Sequence, residues 1–250
     1  MNKREQDYLK AFMYDALSQY YKYSNPDKYI DYYQKHLKYM RRIAGHGEEH
    51  RKTRAETARL ILTHTAPDIP SVDVYINNHL VFQNFTFKMF SNPLELPEGS
   101  YYFDIYPAGN SVSTIISKKI KVKSGEAHLL ATAGLTNRYQ LLSFPVNRSI
   151  PEGEAKLRFL NLSPNSQGLD FAVTGGDVVF PNIPYKQLTD YLGLSPMTVN
   201  LELRKCGTKQ IILPLPSTTF KPDASYTLVA VGCEEGENAS PFSAFLIQEF

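Results

Sequence analysis

Ala58-Arg-Leu-Ile-Leu-Thr-His-Thr-Ala-Pro67 lies over Ala155-Lys-Leu-Arg-Phe-Leu-Asn-Leu-Ser-Pro164 at an offset of 97, and the same offset pairs Asp73 with Asp170. After one added residue in the second copy, Val81-Phe82 and Asn84 pair with Val179-Phe180 and Asn182, Lys88 with Lys186, Leu94 with Leu192, Leu96 with Leu194, and Gly134 with Gly232. Matches held in register over about 75 positions identify one unit that occurs twice. The first copy is placed at 58–146 and the second at 155–250.

Within each copy the period is that of strands. Ser71-Val-Asp-Val-Tyr-Ile alternates, Asn77-Asn78 is a two-residue turn, and His79-Leu-Val-Phe returns, which is the pattern of a hairpin. Gly175-Gly176 takes the turn's place in the second copy. Pro97-Glu-Gly99 introduces Tyr101-Tyr-Phe-Asp-Ile-Tyr, Lys118-Lys-Ile-Lys-Val-Lys alternates, and Ser124-Gly125 leads into His128-Leu-Leu-Ala-Thr-Ala. Short strands separated by frequent turn signals predict a β-sandwich for each copy.

The segment ahead of the repeats, 1–43, has a helical period. Tyr8, Leu9, Phe12, Met13, Ala16, Leu17, Tyr20 and Tyr21 recur as the buried stripe of one helix. Ser24-Asn25-Pro26-Asp27 stops it, Asn25 caps a second helix with Pro26 at its first position, and Tyr29, Ile30, Tyr33, His36, Leu37, Met40 and Ile43 continue the spacing. A helical hairpin is expected. Residues 44–57, with Gly45, Gly47 and a dense charged run, read as a linker or a solvated helix end. Nine of the 17 tyrosines lie in the first 40 residues, more than one stripe on each short helix absorbs. Tyr14, Tyr21, Tyr23, Tyr32 and Tyr33 are therefore candidate assembly contacts, the alternative being that they pack on the β-domains of the same chain.

Composition sets limits on function. The net charge of +2 divides into +4 over 1–57 and −2 over the rest. A field this weak offers little phosphate affinity, which argues against nucleic-acid binding. No stretch is apolar enough for a membrane span or a signal peptide, so synthesis in the cytoplasm is expected. The two cysteines, Cys206 and Cys233, each flank a glycine at a predicted strand end. They are read as plain thiols, with a disulfide within the second domain or a cross-link between subunits left open.

Catalytic patterns are sparse. His46-Gly-Glu-Glu-His50 has the order of an inverted zinc-peptidase motif, but Gly45 and Gly47 weaken the helix it needs and no third ligand is indicated. There is no nucleophile elbow, P-loop, dinucleotide fingerprint or CxxC pair. No catalytic, cofactor-binding or metal residue is assigned, and no cofactor is expected. Asp73 and Asp170 recur between apolar neighbours and are read as structural hydrogen-bond acceptors to a nearby turn.

Ala66-Pro67-Asp68, Val72-Asp73-Val74-Tyr75, Leu80-Val81-Phe82 with Asn84, Leu96-Pro97-Glu98-Gly99 and Ala133-Gly134 resemble the motifs of bacterial domain-of-unknown-function family 4397. In the second copy Leu169-Asp170-Phe171 and Leu194-Ser-Pro-Met197 depart from that pattern. The resemblance implies a mainly β protein of two tandem immunoglobulin-like antiparallel sandwiches behind the helical hairpin, often found on bacterial envelope proteins. The helical part, Ala11-Phe-Met-Tyr-Asp and Tyr32-Tyr-Gln-Lys-His-Leu-Lys-Tyr-Met, is similar to what precedes this domain in spore-forming Bacillus relatives. The lack of a catalytic constellation beside duplicated β-domains and surplus aromatics points to a non-enzymatic protein that assembles with itself and with other spore or envelope proteins, and the similarity implies spore coat or exosporium as its place. An envelope or glycan-binding module, using Tyr101, Tyr102 and Tyr106 as stacking surface, is the alternative.

Overall fold

The computed structural model describes residues 3–22, 25–51, 57–110, 112–234 and 239–249. The chain forms two compact units, Met1–Ala55 and Glu56–Phe250.

The first unit is a pair of helices, α1 (Lys3–Tyr21) and α2 (Pro26–Arg51). Asn25 starts α2 as expected: its Oδ1 accepts from the Lys28 backbone N–H at 3.1 Å, with Pro26 at the first helical position. α2 runs on to Arg51, eight residues into the stretch read as a linker. An interior glycine costs a helix only about 1 kcal/mol against alanine, and the Glu, His and Arg residues around Gly45 and Gly47 all tolerate the helix. No described helix is long and apolar enough to cross a membrane.

The second unit is the duplicated β region. The first repeat contains β1 (Ala58–His64), β2 (Ser71–Ile76), β3 (His79–Thr86), β4 (Leu94–Leu96), β5 (Gly99–Pro107), β6 (Ile116–Val122), β7 (Ala127–Ala133) and β8 (Gln140–Pro145). The second contains β9 (Ala155–Asn161), β10 (Leu169–Val173), β11 (Val178–Ile183), β12 (Leu192–Leu194), β13 (Met197–Val199), β14 (Leu201–Lys205), β15 (Ile211–Pro214), β16 (Thr218–Phe220), β17 (Ala224–Val231) and β18 (Ser243–Gln248). Each repeat is two sheets. Orders β4-β1-β7-β8 and β3-β2-β5-β6 recur as β12-β9-β17-β18 and β11-β10-β14-β15, with β13-β16 as a separate pair. The chain is mainly β, with two helices at its N-terminus and several antiparallel sheets. One pairing departs from the antiparallel expectation: β1 runs parallel to β7, and β9 parallel to β17. The first strand of each repeat meets its partner only after the whole opposite sheet has been built, which gives the long crossover that a parallel pair requires.

Each sandwich has its own core. Leu60, Leu62, Val72, Val74, Phe103 and Ile105 fill the first. Their counterparts Leu157, Phe159, Leu169, Phe171, Leu201 and Leu203 fill the second. A third core joins the repeats: Ile61, Leu129 and Ala131 of β1 and β7 pack with Leu160, Leu162, Val229 and Val231 of the second repeat. β9 and β17 are therefore buried along their whole length, and β1 and β7 nearly so.

A chain starting at Thr57 is expected to melt in one calorimetric transition, because unfolding either repeat exposes this third core. Leu129→Ala should cost about 2–5 kcal/mol in urea unfolding. Two separated transitions in the unmutated chain would contradict a shared core.

Candidate assembly surface

Along α1, successive residues advance by about 100°. Asp7, Ala11 and Ser18 fall on one side of that helix and are buried. Leu9, Phe12, Met13, Ala16 and Tyr20 fall within an arc of about 100° on the other side and are exposed. Phe12 is 76% and Tyr20 75% accessible. The stripe expected to be buried is thus the outward one, and small or polar residues face α2.

What fills the space between the helices is tyrosine. The Tyr21 ring stacks on Tyr32 at 5.7 Å, Tyr32 on Tyr14 at 6.3 Å, and Tyr14 on Tyr39 at 5.6 Å between centroids. Lysines cap the ladder: Lys28 lies 4.9 Å from the Tyr21 ring, Lys35 5.2 Å from Tyr32, and Lys10 5.5 Å from Tyr39. His36 Nδ1 lies 3.0 Å from the Ala11 carbonyl oxygen. Aromatic faces attract both one another and cations, so a polar-rimmed seam holds the helices without an aliphatic core.

The candidate contacts separate accordingly. Tyr14, Tyr21 and Tyr32 are half-buried in the ladder, within the hairpin itself. Tyr33 is 41% accessible and lies outside the ladder, stacked on Tyr29 at 5.8 Å and on His36 at 6.1 Å. Tyr23 lies outside the described residues. Leu9, Phe12, Met13 and Ile30 were counted as core by sequence; the missing signal was that Asp7, Ala11 and Ser18 share a helical face with Tyr14.

In the β region both cysteines are free thiols. Cys206 is half-exposed, with its Sγ donating to Asn182 Oδ1 at 3.1 Å, and Cys233 is buried. Burial pushes the Cys233 thiol pKa up, with Asp68 adding to it. His46 to His50 lie within the backbone of α2. Among the described residues no group of three or more His, Cys, Asp or Glu is placed to hold a metal ion.

The repeated aspartates are turn clamps. Asp73 accepts from the Asn84 N–H at 2.7 Å and the Gly109 N–H at 3.0 Å, and Asp170 does the same with Asn182 at 2.7 Å and Gly207 at 2.8 Å. Each carboxylate ties a strand irregularity, where Asn84 and Asn182 have φ of 53 and 50°, to the turn after the neighbouring strand.

At one end of the shared core sits a buried charged group. Arg158 and Glu249 pair at 2.5 Å, and Arg158 also donates to the Pro145 carbonyl at 2.7 Å. Glu249 further accepts from Thr227 and Tyr191, each at 2.6 Å. Lys156 donates to the Ser149 carbonyl at 2.6 Å and lies 4.4 Å from the Tyr191 ring centroid. Burial, then the Glu249 charge, pushes the Tyr191 hydroxyl pKa up, while burial pushes Lys156 down. These side chains fasten the segment between the repeats to the second one. At the other end of the inner strands, Gly134, Leu135, Thr136, Arg138, Pro164, Tyr185 and Lys186 line an open cleft of about 480 Å³ between the repeats.

The sandwiches and hairpin define a class, a tandem β-sandwich protein with a helical appendage. The family model described as "Domain of unknown function (DUF4397)" matches residues 58–172, the first repeat and the opening strands of the second. A comparison with curated proteins finds no match. Among solved structures, one described as a "putative cell adhesion protein" from Bacteroides fragilis NCTC 9343 matches at 11% identity over 78% of this chain and 97% of that one. Its TM-score is 0.19, and a likeness that low carries no argument about fold or role.

Two tests follow from the buried groups. Glu249→Ala leaves Arg158 buried without its carboxylate and is expected to cost about 3–5 kcal/mol in urea unfolding, with Glu249→Gln costing less because its amide oxygen can still accept from Arg158 and Thr227. His64 is fully buried between Thr132 Oγ1 and the Ile69 carbonyl, and desolvation lowers its pKa to about 4. The folded state therefore favours neutral His64: its contribution is complete above pH ~6.5 and lost as pH falls toward 4, on the order of 3 kcal/mol. His64→Asn, which copies Asn161 at the matching position of the second repeat, should remove that part of the acid destabilisation in a pH series of urea melts.

Proposed function

We propose that this chain is a non-enzymatic structural protein that self-assembles on a bacterial surface, with spore coat or exosporium as its site. The observation that carries the reading is the apolar stripe Leu9, Phe12, Met13 and Tyr20, displayed on the side of α1 opposite the tyrosine ladder. Large exposed aliphatic and aromatic side chains in one row are a recognition surface or an aggregation liability, and a helix is the element best suited to present them to a second helix. The two sandwiches, sharing a core, suit a rigid block carried by such a connector. The spore placement rests on the similarity of the helical segment to what precedes this domain in spore formers.

One observation favours envelope-glycan binding as a second reading. The outer face of the β3-β2-β5-β6 sheet carries Tyr102, 49% accessible beneath Lys119, and Tyr106 edge-on to Tyr75 at 5.4 Å. Tyr101 faces the core instead, with its hydroxyl donating to the Pro97 carbonyl. In the second repeat the registered positions hold Asn200, Arg204 and Ala172, so this aromatic face belongs to the first repeat alone.

Light scattering over a concentration series should show mass growing for the full-length chain and a constant monomer for the chain starting at Thr57. Monomers from both, together with retention of the full-length chain on cell-wall or spore polysaccharide, would replace assembly by glycan binding.

A further inference from the structure

The cleft between the repeats takes its walls from both of them. The turn after β7 supplies Thr136 and Arg138, and the second repeat supplies Pro164, Tyr185 and Lys186. Its volume of about 480 Å³ lies within the range of small-ligand sites. The turn is fixed in advance: Thr136 and Asn137 have φ of 50 and 61°, and Asp68 Oδ2 accepts from the Thr136 N–H and the Tyr139 hydroxyl, each at 2.8 Å.

Two features of the cleft have no use within the fold. Arg138 and Lys186 bring two cations to it, and neither meets a carboxylate among the described residues; Lys186 donates to the neutral Gln140 side chain at 3.0 Å. The Tyr185 hydroxyl is buried with no hydrogen-bond partner among the described residues. Packing does not call for that hydroxyl, since Phe87 holds the matching position of the first repeat and packs on the shared core. Burial, then the Cys233 thiol, pushes its pKa up, so it stays protonated at neutral pH and is able to donate. A buried hydroxyl left unmatched is costly, and an acceptor brought to it removes that cost.

We propose that this cleft binds an acidic saccharide, its carboxylate on Arg138 and Lys186 and its ring against Tyr185 and Pro164. The donors set the charge of the ligand, because a guanidinium, an ammonium and a hydroxyl together call for an acceptor-rich anion. The flat faces of Tyr185 and Pro164 and the volume set its size, since an acetate or phosphate ion would leave both uncovered. A sugar ring also carries the oxygen that the Tyr185 hydroxyl lacks. Reaching that hydroxyl takes a small shift of the Tyr185 side chain, which is itself partly exposed. The site does not depend on the self-assembly reading and is separate from the Tyr102 face of the first repeat.

The experiment titrates the full-length chain with trigalacturonate in a calorimeter, beside maltotriose, which is of like size and uncharged, and trialanine, which carries a carboxylate without a sugar. Trigalacturonate is expected to saturate the protein, with the other two at least about tenfold weaker. Arg138→Gln and Tyr185→Phe should each weaken trigalacturonate about tenfold. Tyr185→Phe, which copies Phe87, should leave the thermal midpoint unchanged or raised, whereas a hydroxyl with a structural role would lower it. Tyr102→Ala should leave binding unchanged. Failure of trigalacturonate to saturate at millimolar concentration, equal binding of maltotriose or trialanine, or variants at Arg138 and Tyr185 that bind as the unmutated chain does, would overturn the proposal. Loss of binding in Tyr102→Ala would move the site to the sheet face and overturn it equally.

Discussion

The β region depends on one constraint: its two inner sheets are buried on both faces. β1 and β7 look inward to the first sandwich core and outward to the shared core, and β9 and β17 do the same from the other side. A strand in that position cannot send backbone or side-chain polar groups to water, so every polar residue on it needs an internal partner. Partners are present for most of them, although the buried Ser225 hydroxyl on β17 has none among the described residues. Thr65 and His64 bond to Thr132, Arg158 bonds to Glu249 and Thr227, and Ser163 Oγ donates to the Gly232 carbonyl. The ends of β7 and β17 show how little room is left. A Cβ on Gly134 would lie 2.3 Å from the Arg138 carbonyl oxygen, and one on Gly232 would lie 2.2 Å from that of Pro241. Both glycines have positive φ, so their recurrence at one register has a steric cause.

The helical unit is built on the reverse plan. Its seam is aromatic and cationic, and the large apolar side chains Leu9, Phe12, Met13 and Ile30 are exposed. Stacked tyrosines give the seam specific geometry, since ring faces and edges attract only in certain arrangements, but they bury little apolar area compared with a leucine-lined seam. A short helical pair held this way draws little stability from apolar burial of its own. The β region, by contrast, has three cores of its own.

Much of this was legible in the sequence because period and repetition report local structure directly. Asp73 and Asp170 sat at one register between apolar neighbours, and a carboxylate there has to find backbone N–H groups, which it does at Asn84 and Gly109 and at Asn182 and Gly207. Asn25 before Pro26 announced the start of α2. The helical stripe was legible as a stripe, but periodicity does not say whether an apolar face meets its own chain, and here the tyrosines took the seam. The double burial of the inner strands left a trace that alternation rules pass over. Leu60-Ile-Leu and Thr227-Leu-Val-Ala-Val are near-continuous apolar runs, as in strands covered on both faces, whereas Val72-Asp-Val-Tyr alternates. The parallel pairing of β1 with β7 had no local signature, because it is set by where the chain returns after building the other sheet.

Duplication alone does not make a shared core. Core-facing positions of the two repeats hold like residues, Leu60 with Leu157, Leu62 with Phe159, Val72 with Leu169 and Ile105 with Leu203. The outward-facing positions do not. Ile61 corresponds to Arg158, Thr63 to Leu160, Thr65 to Leu162, and Leu129 to Thr227. In the first repeat the apolar patch therefore begins one inward–outward cycle earlier along the strand than in the second, where Lys156, Arg158, Ser225 and Thr227 occupy the matching end. Two identical repeats would set charged ends against apolar ones, or else leave both patches partly in water. The observed divergence places apolar against apolar across the junction and leaves a buried polar end, which Glu249 neutralises. That end is costly in desolvation and contributes little net stability. The ion pair lies wholly within the second repeat; what crosses from it to the first repeat is the Arg158 bond to the Pro145 carbonyl at the end of β8. The apolar patch beside it joins the two blocks.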